Sequence, residues 1–173
     1  MKARGEGFFA AFDTAAYQPR GVLLGQATDD SCVAACVRML LIDRFPERAD
    51  DYRFSESFIR DVCRTGRDGS LVAGIPAVLQ EMGIVTPYVF RADLTIDDLR
   101  EAVAFGFAIA SVRTSAPREV HVVIVEEVTE EDVVVRDPLP QSASAAYRVP
   151  LSLFLERWLS VKTQLGSAVV VIE

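Results

Sequence analysis

The chain is 173 residues long, half of its residues are hydrophobic and a quarter are charged. This composition is typical of a single globular domain and excludes intrinsic disorder, so we expect one domain over residues 1–173 with an N-terminal extension over 1–20. The formal net charge of −7 repels phosphate backbones, and no apolar run approaches the roughly 20 residues of a membrane span, so we expect neither a nucleic-acid partner nor a membrane span.

The first half of the chain is predicted to be mainly helical. A short apolar strand is predicted first, over Val22–Leu24. Asp29, Asp30 and Ser31 then supply side-chain acceptors that could cap the start of a helix. Four helices are predicted, over Cys32–Phe45, Glu56–Arg64, Ile75–Met82 and Thr95–Gly106, and a strand-like Tyr88–Phe90 precedes the last of them.

The second half of the chain has the pattern of β-strands. Strands are predicted over Phe107–Val112, Val120–Val128, Val133–Arg136, Ala145–Val149 and Ala168–Ile172, with a short helix over Leu151–Leu159. Helices are concentrated before strands instead of alternating with them. This order favours an α+β fold with an antiparallel sheet over a doubly wound one.

The three cysteines are the first candidates for chemistry. Their odd number argues against a closed disulfide framework and favours a reducing compartment such as the cytoplasm. Cys32 is predicted in the first turn of its helix, where the positive end of the dipole favours a thiolate nucleophile, although a lone cysteine there could equally be a small core hydrophobe. Cys36 and Cys63 are predicted to be core residues.

A predicted hairpin brings the only histidine of the chain close to an aspartate. If the reversal centres on Thr129, Val125 faces Val133 and His121 faces Asp137, with Cβ atoms ~5 Å apart. Taken alone, the histidine could be structural and the aspartate could be a turn residue. Together with Cys32 they would supply a nucleophile, a base and an orienting carboxylate.

Gln26 stands six residues before the cysteine. Its amide could reach an oxyanion together with the backbone N–H of Cys32. Considered by itself, it would be an ordinary surface residue.

These residues resemble those of the double-glycine leader peptidases, the papain-like cysteine peptidase domains found at the front of bacteriocin-exporting ABC transporters. The resemblance rests on Gln26, Cys32, His121-Val122-Val123 and Val135-Arg136-Asp137-Pro138, and it spans Val22–Leu159, including an aromatic pair at Phe154 and Trp158. It implies a papain-like fold with N-terminal helices packed on an antiparallel sheet.

The resemblance also implies a role for each candidate residue. Cys32 would be the nucleophile, His121 the general base, Asp137 the residue that orients it and Gln26 the oxyanion donor. The substrate would be a peptide or protein, such as a leader peptide with a small pair like Gly-Gly before the cut. Neither a cofactor nor a metal is expected, and no transporter is expected within the same 173 residues.

Other functions remain open. Val33 follows the cysteine where the family usually has glycine, and Leu139-Pro140-Gln141 replace a customary glycine after Pro138, which would suit a peptide-binding module that does not cleave. The same three side chains could serve an acyl-transfer or deamidase effector. A zinc site formed by Cys32, Cys36, Cys63 and His121 is a further alternative, although the spacing of the first two cysteines is unusual for structural zinc.

Overall fold

The computed structural model describes residues 8–9, 15–66, 69–70, 72–84, 88–114, 120–139, 146–160 and 163–172. Within them, a seven-stranded antiparallel sheet is covered by helices on both faces. The strands are β1 (Ala15–Ala16), β2 (Tyr88–Leu94), β3 (Gly106–Arg113), β4 (Val120–Val128), β5 (Asp132–Arg136), β6 (Ala146–Pro150) and β7 (Gly166–Ile172). The helices are α1 (Cys32–Arg44), α2 (Glu56–Val62), α3 (Ile75–Glu81), α4 (Ile96–Ala104) and α5 (Leu151–Trp158).

The strands lie in the order β1-β6-β5-β4-β3-β7-β2, which places β4 at the centre of the sheet. Both faces of β4 are buried along most of its length, which explains its nearly continuous run of valine and isoleucine. Val123 and Val125 pack with α4 and α5 on one face, whereas Val122 and Ile124 pack with α1, α2 and α3 on the other. The α+β fold with an antiparallel sheet is therefore confirmed, with the addition that two helices cover the second face.

Helix α1 starts and ends close to the predicted residues. Ser31 occupies the N-cap position, but its side chain makes no capping bond; its hydroxyl donates to the carbonyl of Thr28 instead. Helix α1 packs against the central strand. Most of its residues from Val33 to Leu41 are therefore buried. Its last turn presents Asp43 to a buried arginine of β5. The apolar segment Val22–Leu24, predicted as a strand, is irregular but packs against the same core.

The predicted hairpin register is wrong. Val125 pairs with Val135, not with Val133, and a bulge at Glu126 shifts the register between Val125 and Glu127. The bulge adds a residue to β4 and turns Glu126 into the interior, where it meets Arg136. The expectation that the odd-numbered valines of both strands share one face is correct despite the shift.

Candidate active site

Cys32 is the first residue of α1, as predicted, and it is partly exposed. The first N–H groups of a helix have no acceptor within the helix, so this end of α1 attracts negative charge. One turn further, the thiol of Cys36 donates to the carbonyl of Val122 at 3.6 Å, which fixes the start of α1 beside the start of β4. The nucleophile candidate therefore lies next to the strand that carries His121.

His121 and Asp137 form a buried pair. His121 Nε2 lies 2.7 Å from Asp137 Oδ1, and Asp137 is fully buried. Oδ1 also accepts from the backbone N–H of Leu139 at 2.9 Å, while Oδ2 accepts from the backbone N–H of Phe8. Backbone N–H groups therefore donate to both carboxylate oxygens of Asp137.

The surroundings of His121 favour its protonated form. Burial alone would lower the pKa of His121, but the negative charge of Asp137 and its hydrogen bond oppose this effect. Interactions with Cys32 also raise the pKa of His121. Together, Asp137 and Cys32 outweigh burial and raise this pKa from 6.5 to about 9. Both the thiol and the carboxylate therefore act on the imidazole, and its Nε2 is directed at Asp137.

Gln26 lies in the loop before α1 and is buried. Its backbone N–H donates to the carbonyl of Pro138 at 2.6 Å, and its side-chain Nε2 donates to the carbonyl of Thr28 at 2.7 Å. The first bond ties the loop before the cysteine directly to the residue that follows Asp137. The alternative of an ordinary surface position is therefore excluded.

Helix α2 fixes the loop that carries Gln26. Glu56 accepts the N–H of Ala27 at 2.8 Å, and Arg60 forms an ion pair with Asp30 at 3.0 Å while also donating to the hydroxyl of Thr28. The aspartate that sequence reasoning considered as a helix cap thus joins this loop to a neighbouring helix.

The other two cysteines differ from Cys32. Burial raises the pKa of the Cys36 thiol well above its ordinary value, and that thiol packs within the core. Burial raises the pKa of the Cys63 thiol to about 11, despite a hydrogen bond with Ser70 that lowers it. The prediction of a core position is confirmed for Cys36, whereas Cys63, at the end of α2, is only partly buried and packs against that core.

Phe8 contacts both partners of the pair, and sequence analysis missed it. Its backbone donates to Asp137, and its ring lies 5.7 Å from the imidazole of His121, measured between centroids. Neither contact has a local signal in the sequence, because Phe8 is more than a hundred residues from both partners.

Arg136, directly before Asp137, forms a buried ionic cluster that was also missed. Its guanidinium lies 2.8 Å from Glu126 Oε1 and 2.7 Å from Asp43 Oδ2, and it donates to the carbonyl of Val22 at 2.8 Å. Arg20 also donates to the backbone and the side chain of Glu126. The cluster joins β4, β5, the end of α1 and the segment that leads to Gln26.

In the part of the chain that the structure describes, no group of three or more His, Cys, Asp or Glu side chains is arranged to hold a metal ion. No helix among the described residues is long and apolar enough to cross a membrane. Pro140 and Gln141, which were considered for the shape of the loop after Asp137, lie outside the described residues.

The family model for the peptidase C39 family matches residues 22–164. The chain belongs to the peptidase C39 family. The match covers α1, both strands of the hairpin and α5, and therefore includes Cys32, His121 and Asp137. A comparison with curated proteins gave no significant match.

Solved structures of C39 peptidase domains have the same fold. The peptidase domain of Streptococcus ComA, a bi-functional ABC transporter involved in a quorum sensing pathway, is 18% identical with a TM-score of 0.60, over 87% of this chain and 96% of that one. A double glycine motif protease from an AMS/PCAT transporter, in complex with the leader peptide, is 15% identical with a TM-score of 0.61, over 88% and 91%. A C39-like peptidase from Bacillus anthracis is 14% identical with a TM-score of 0.63, over 94% and 98%. At these identities the likeness shows the fold alone.

Proposed function

We propose that this C39 family member is a cysteine peptidase in which Cys32 is the nucleophile, His121 the general base and Asp137 the residue that orients it. The observation that carries this proposal is the buried hydrogen bond between His121 Nε2 and Asp137 Oδ1, together with the effect of Cys32, which helps to raise the pKa of His121. Because Nε2 is directed at the carboxylate, Nδ1 is the ring nitrogen that would receive the thiol proton.

The reaction follows from this arrangement. His121 holds the proton of Cys32, and the thiolate forms a bond to the carbonyl carbon of the peptide. The electron pair of the carbonyl moves to its oxygen, which the N–H of Cys32 and the amide of Gln26 stabilise. His121 then gives its proton to the leaving amine as the C–N bond breaks. Water, deprotonated by His121, releases the carboxylic acid from the thioester and regenerates the thiol.

We further propose a substrate in which two small residues such as Gly-Gly precede the cut. A related AMS/PCAT transporter protease is a double glycine motif protease that has been observed with its leader peptide, which supports a leader peptide as the class of substrate. The three cysteines are free, which is consistent with the expected reducing compartment.

The position of the Val33 side chain does not favour the alternative of a peptide-binding module that cannot cleave. A valine side chain that faced the substrate would keep the substrate backbone away from the sulfur of Cys32. Val33 is buried in the core formed with α2 and α3, so its side chain is directed away from solvent. The valine therefore occupies core volume, not the space beside the exposed part of Cys32.

A library of peptides with varied pairs of residues before the scissile bond tests the function. We expect hydrolysis after small pairs by the wild type, loss of hydrolysis in Cys32→Ala and His121→Ala, and unchanged hydrolysis in Cys63→Ala. Peptide binding by the wild type without hydrolysis would support the binding module instead. Release of ammonia from glutamine side chains, without backbone cleavage, would support the deamidase alternative.

A further inference from the structure

The described N-terminal residues Phe8 and Phe9 lie outside residues 22–164, the range matched by the family model. Both are nevertheless buried in the core on the α4 and α5 side of the sheet. The backbone N–H of Phe8 donates to Asp137 Oδ2, and its ring is tilted by 39° against the imidazole of His121. A segment outside the family match therefore contacts the two residues on which the proposed mechanism depends.

We propose that Phe8 is a positioning residue for the pair formed by His121 and Asp137, holding the carboxylate through its backbone and shielding the hydrogen bond between them through its ring. This inference rests on the proposed function for its effect on catalysis. Its structural part, the protection of the hydrogen bond, can be tested without any substrate.

The backbone contact fixes the carboxylate. Oδ1 of Asp137 is bonded by His121 Nε2 and by the N–H of Leu139, and the N–H of Phe8 adds a bond to Oδ2. With Phe8 present, donors approach both oxygens, so rotation of the carboxylate breaks at least one bond. The orientation of Asp137 in turn sets the orientation of the ring that it holds.

The ring contact excludes water. Phe8 is only 5% exposed, and its centroid lies 5.7 Å from that of His121, which is itself nearly buried. A hydrogen bond between charged groups weakens when water reaches it, because water screens the charges and competes as donor and acceptor. A phenyl ring at this position keeps the bond in a medium of low dielectric constant.

The position of Phe8 is fixed by its neighbour in the chain. Phe9 is fully buried; its ring packs edge-on against that of Phe8 at 4.8 Å and lies 6.4 Å from that of Phe154 on α5. Phe9 thus anchors the segment to the sheet, and Phe8 is held over the pair as a consequence.

The single histidine makes a direct test possible, because the imidazole signals of the full-length protein all arise from His121. In ¹⁵N-histidine-labelled wild type, we expect the Nε2 proton to be visible downfield and to exchange slowly with water. We expect exchange to be at least tenfold faster in Phe8→Leu and faster again in Phe8→Ala, with kcat lowered and KM unchanged on a cleaved peptide. Phe54→Leu is the matched control, since it removes a fully buried ring that packs on the α1 to α3 side of the sheet.

Circular dichroism establishes that each variant is folded before exchange is measured, and Phe8→Leu keeps most of the side-chain volume if Phe8→Ala does not fold. A rapidly exchanging Nε2 proton in the wild type would overturn the inference without any variant. Exchange in Phe8→Leu no faster than in Phe54→Leu would also overturn it. Neither result depends on peptide hydrolysis, so failure of this inference is distinguishable from failure of the proposed peptidase function.

Discussion

Replacing Asp137 by asparagine removes one negative charge from the buried pair and changes little else in size. In the native protein, burial lowers the pKa of His121, while Asp137 and Cys32 raise it to about 9. With an amide at position 137, Cys32 is the main group that still opposes the lowering of the His121 pKa by burial. We therefore expect the pKa of His121 to fall well below 9 in Asp137→Asn.

The size of the effect follows from the native pKa. The rise from 6.5 to about 9 corresponds to about 3 kcal/mol in favour of the imidazolium form. Losing most of this energy would lower kcat/KM between pH 7 and 8 by on the order of 100-fold, because the imidazolium would no longer accompany the thiolate. The amide nitrogen would also face one of the donors that bond the native carboxylate, which costs about 1–3 kcal/mol of folding stability.

The sign of the pH dependence is fixed by the direction of the shift. Because the pKa of His121 in the folded protein lies above its ordinary value, its contribution to the free energy of unfolding is fully present below pH 6.5 and is lost as pH rises through about 9. The wild type should show an alkaline limb of kcat/KM near pH 9. In Asp137→Asn this limb should move to lower pH, and NMR titration of the single histidine should report the same change.

Asp132→Asn is the matched control. It removes a carboxylate from the other end of β5, where Asp132 forms a partly exposed ion pair with Arg148 at 3.4 Å. This variant should keep the alkaline limb near pH 9. The reasoning is refuted if Asp137→Asn leaves the pKa of His121 unchanged, or if Asp132→Asn lowers it equally.

Two further predictions concern the oxyanion donor and the buried ionic cluster. Gln26→Ala should lower kcat by about 10²–10³-fold in steady-state peptide hydrolysis, whereas Gln80→Ala, on the exposed side of α3, should not; equal rates for both would exclude the amide from transition-state stabilisation. Arg136→Met leaves Glu126 and Asp43 without their shared cation and should reduce the free energy of unfolding in urea by about 3–5 kcal/mol. Arg91→Met, which breaks an exposed ion pair, should cost less than about 1 kcal/mol, and a similar loss in both variants would contradict the importance of burial.

The sequence was sufficient for features that depend on local patterns. The start of α1 at Cys32, the limits of β4 and the helix after Thr95 agree with the structure, where Thr95 forms a capping box with Asp98. Alternation along β4 and β5 also predicted that His121 and Asp137 would meet. Their contact survives an error in register, because Val125 pairs with Val135 instead of Val133, and a difference of two residues leaves the same faces together.

Features that depend on distant partners could not be predicted. The burial of Glu126 has no local signal in the sequence, because the arginine that it meets follows ten residues later on the next strand. Arg136 bonds Asp43 across 93 residues. The loop of Gln26 is buried by Pro138 and α2, and the aromatic residues at the N-terminus show no periodicity that would place them over the pair. Only packing in three dimensions brings these groups together.

The rate at which iodoacetamide alkylates each cysteine tests the central claim most directly, because it reports the coupling of the Cys32 thiol to His121 without a substrate. Burial raises the pKa of the Cys36 thiol far above its ordinary value and that of Cys63 to about 11, so both should react slowly at pH 7. We predict that Cys32 is labelled first, and that His121→Ala slows its labelling at least tenfold while the rate at Cys63 stays the same. Equal labelling of all three cysteines, or a Cys32 rate unchanged by His121→Ala, would contradict the account.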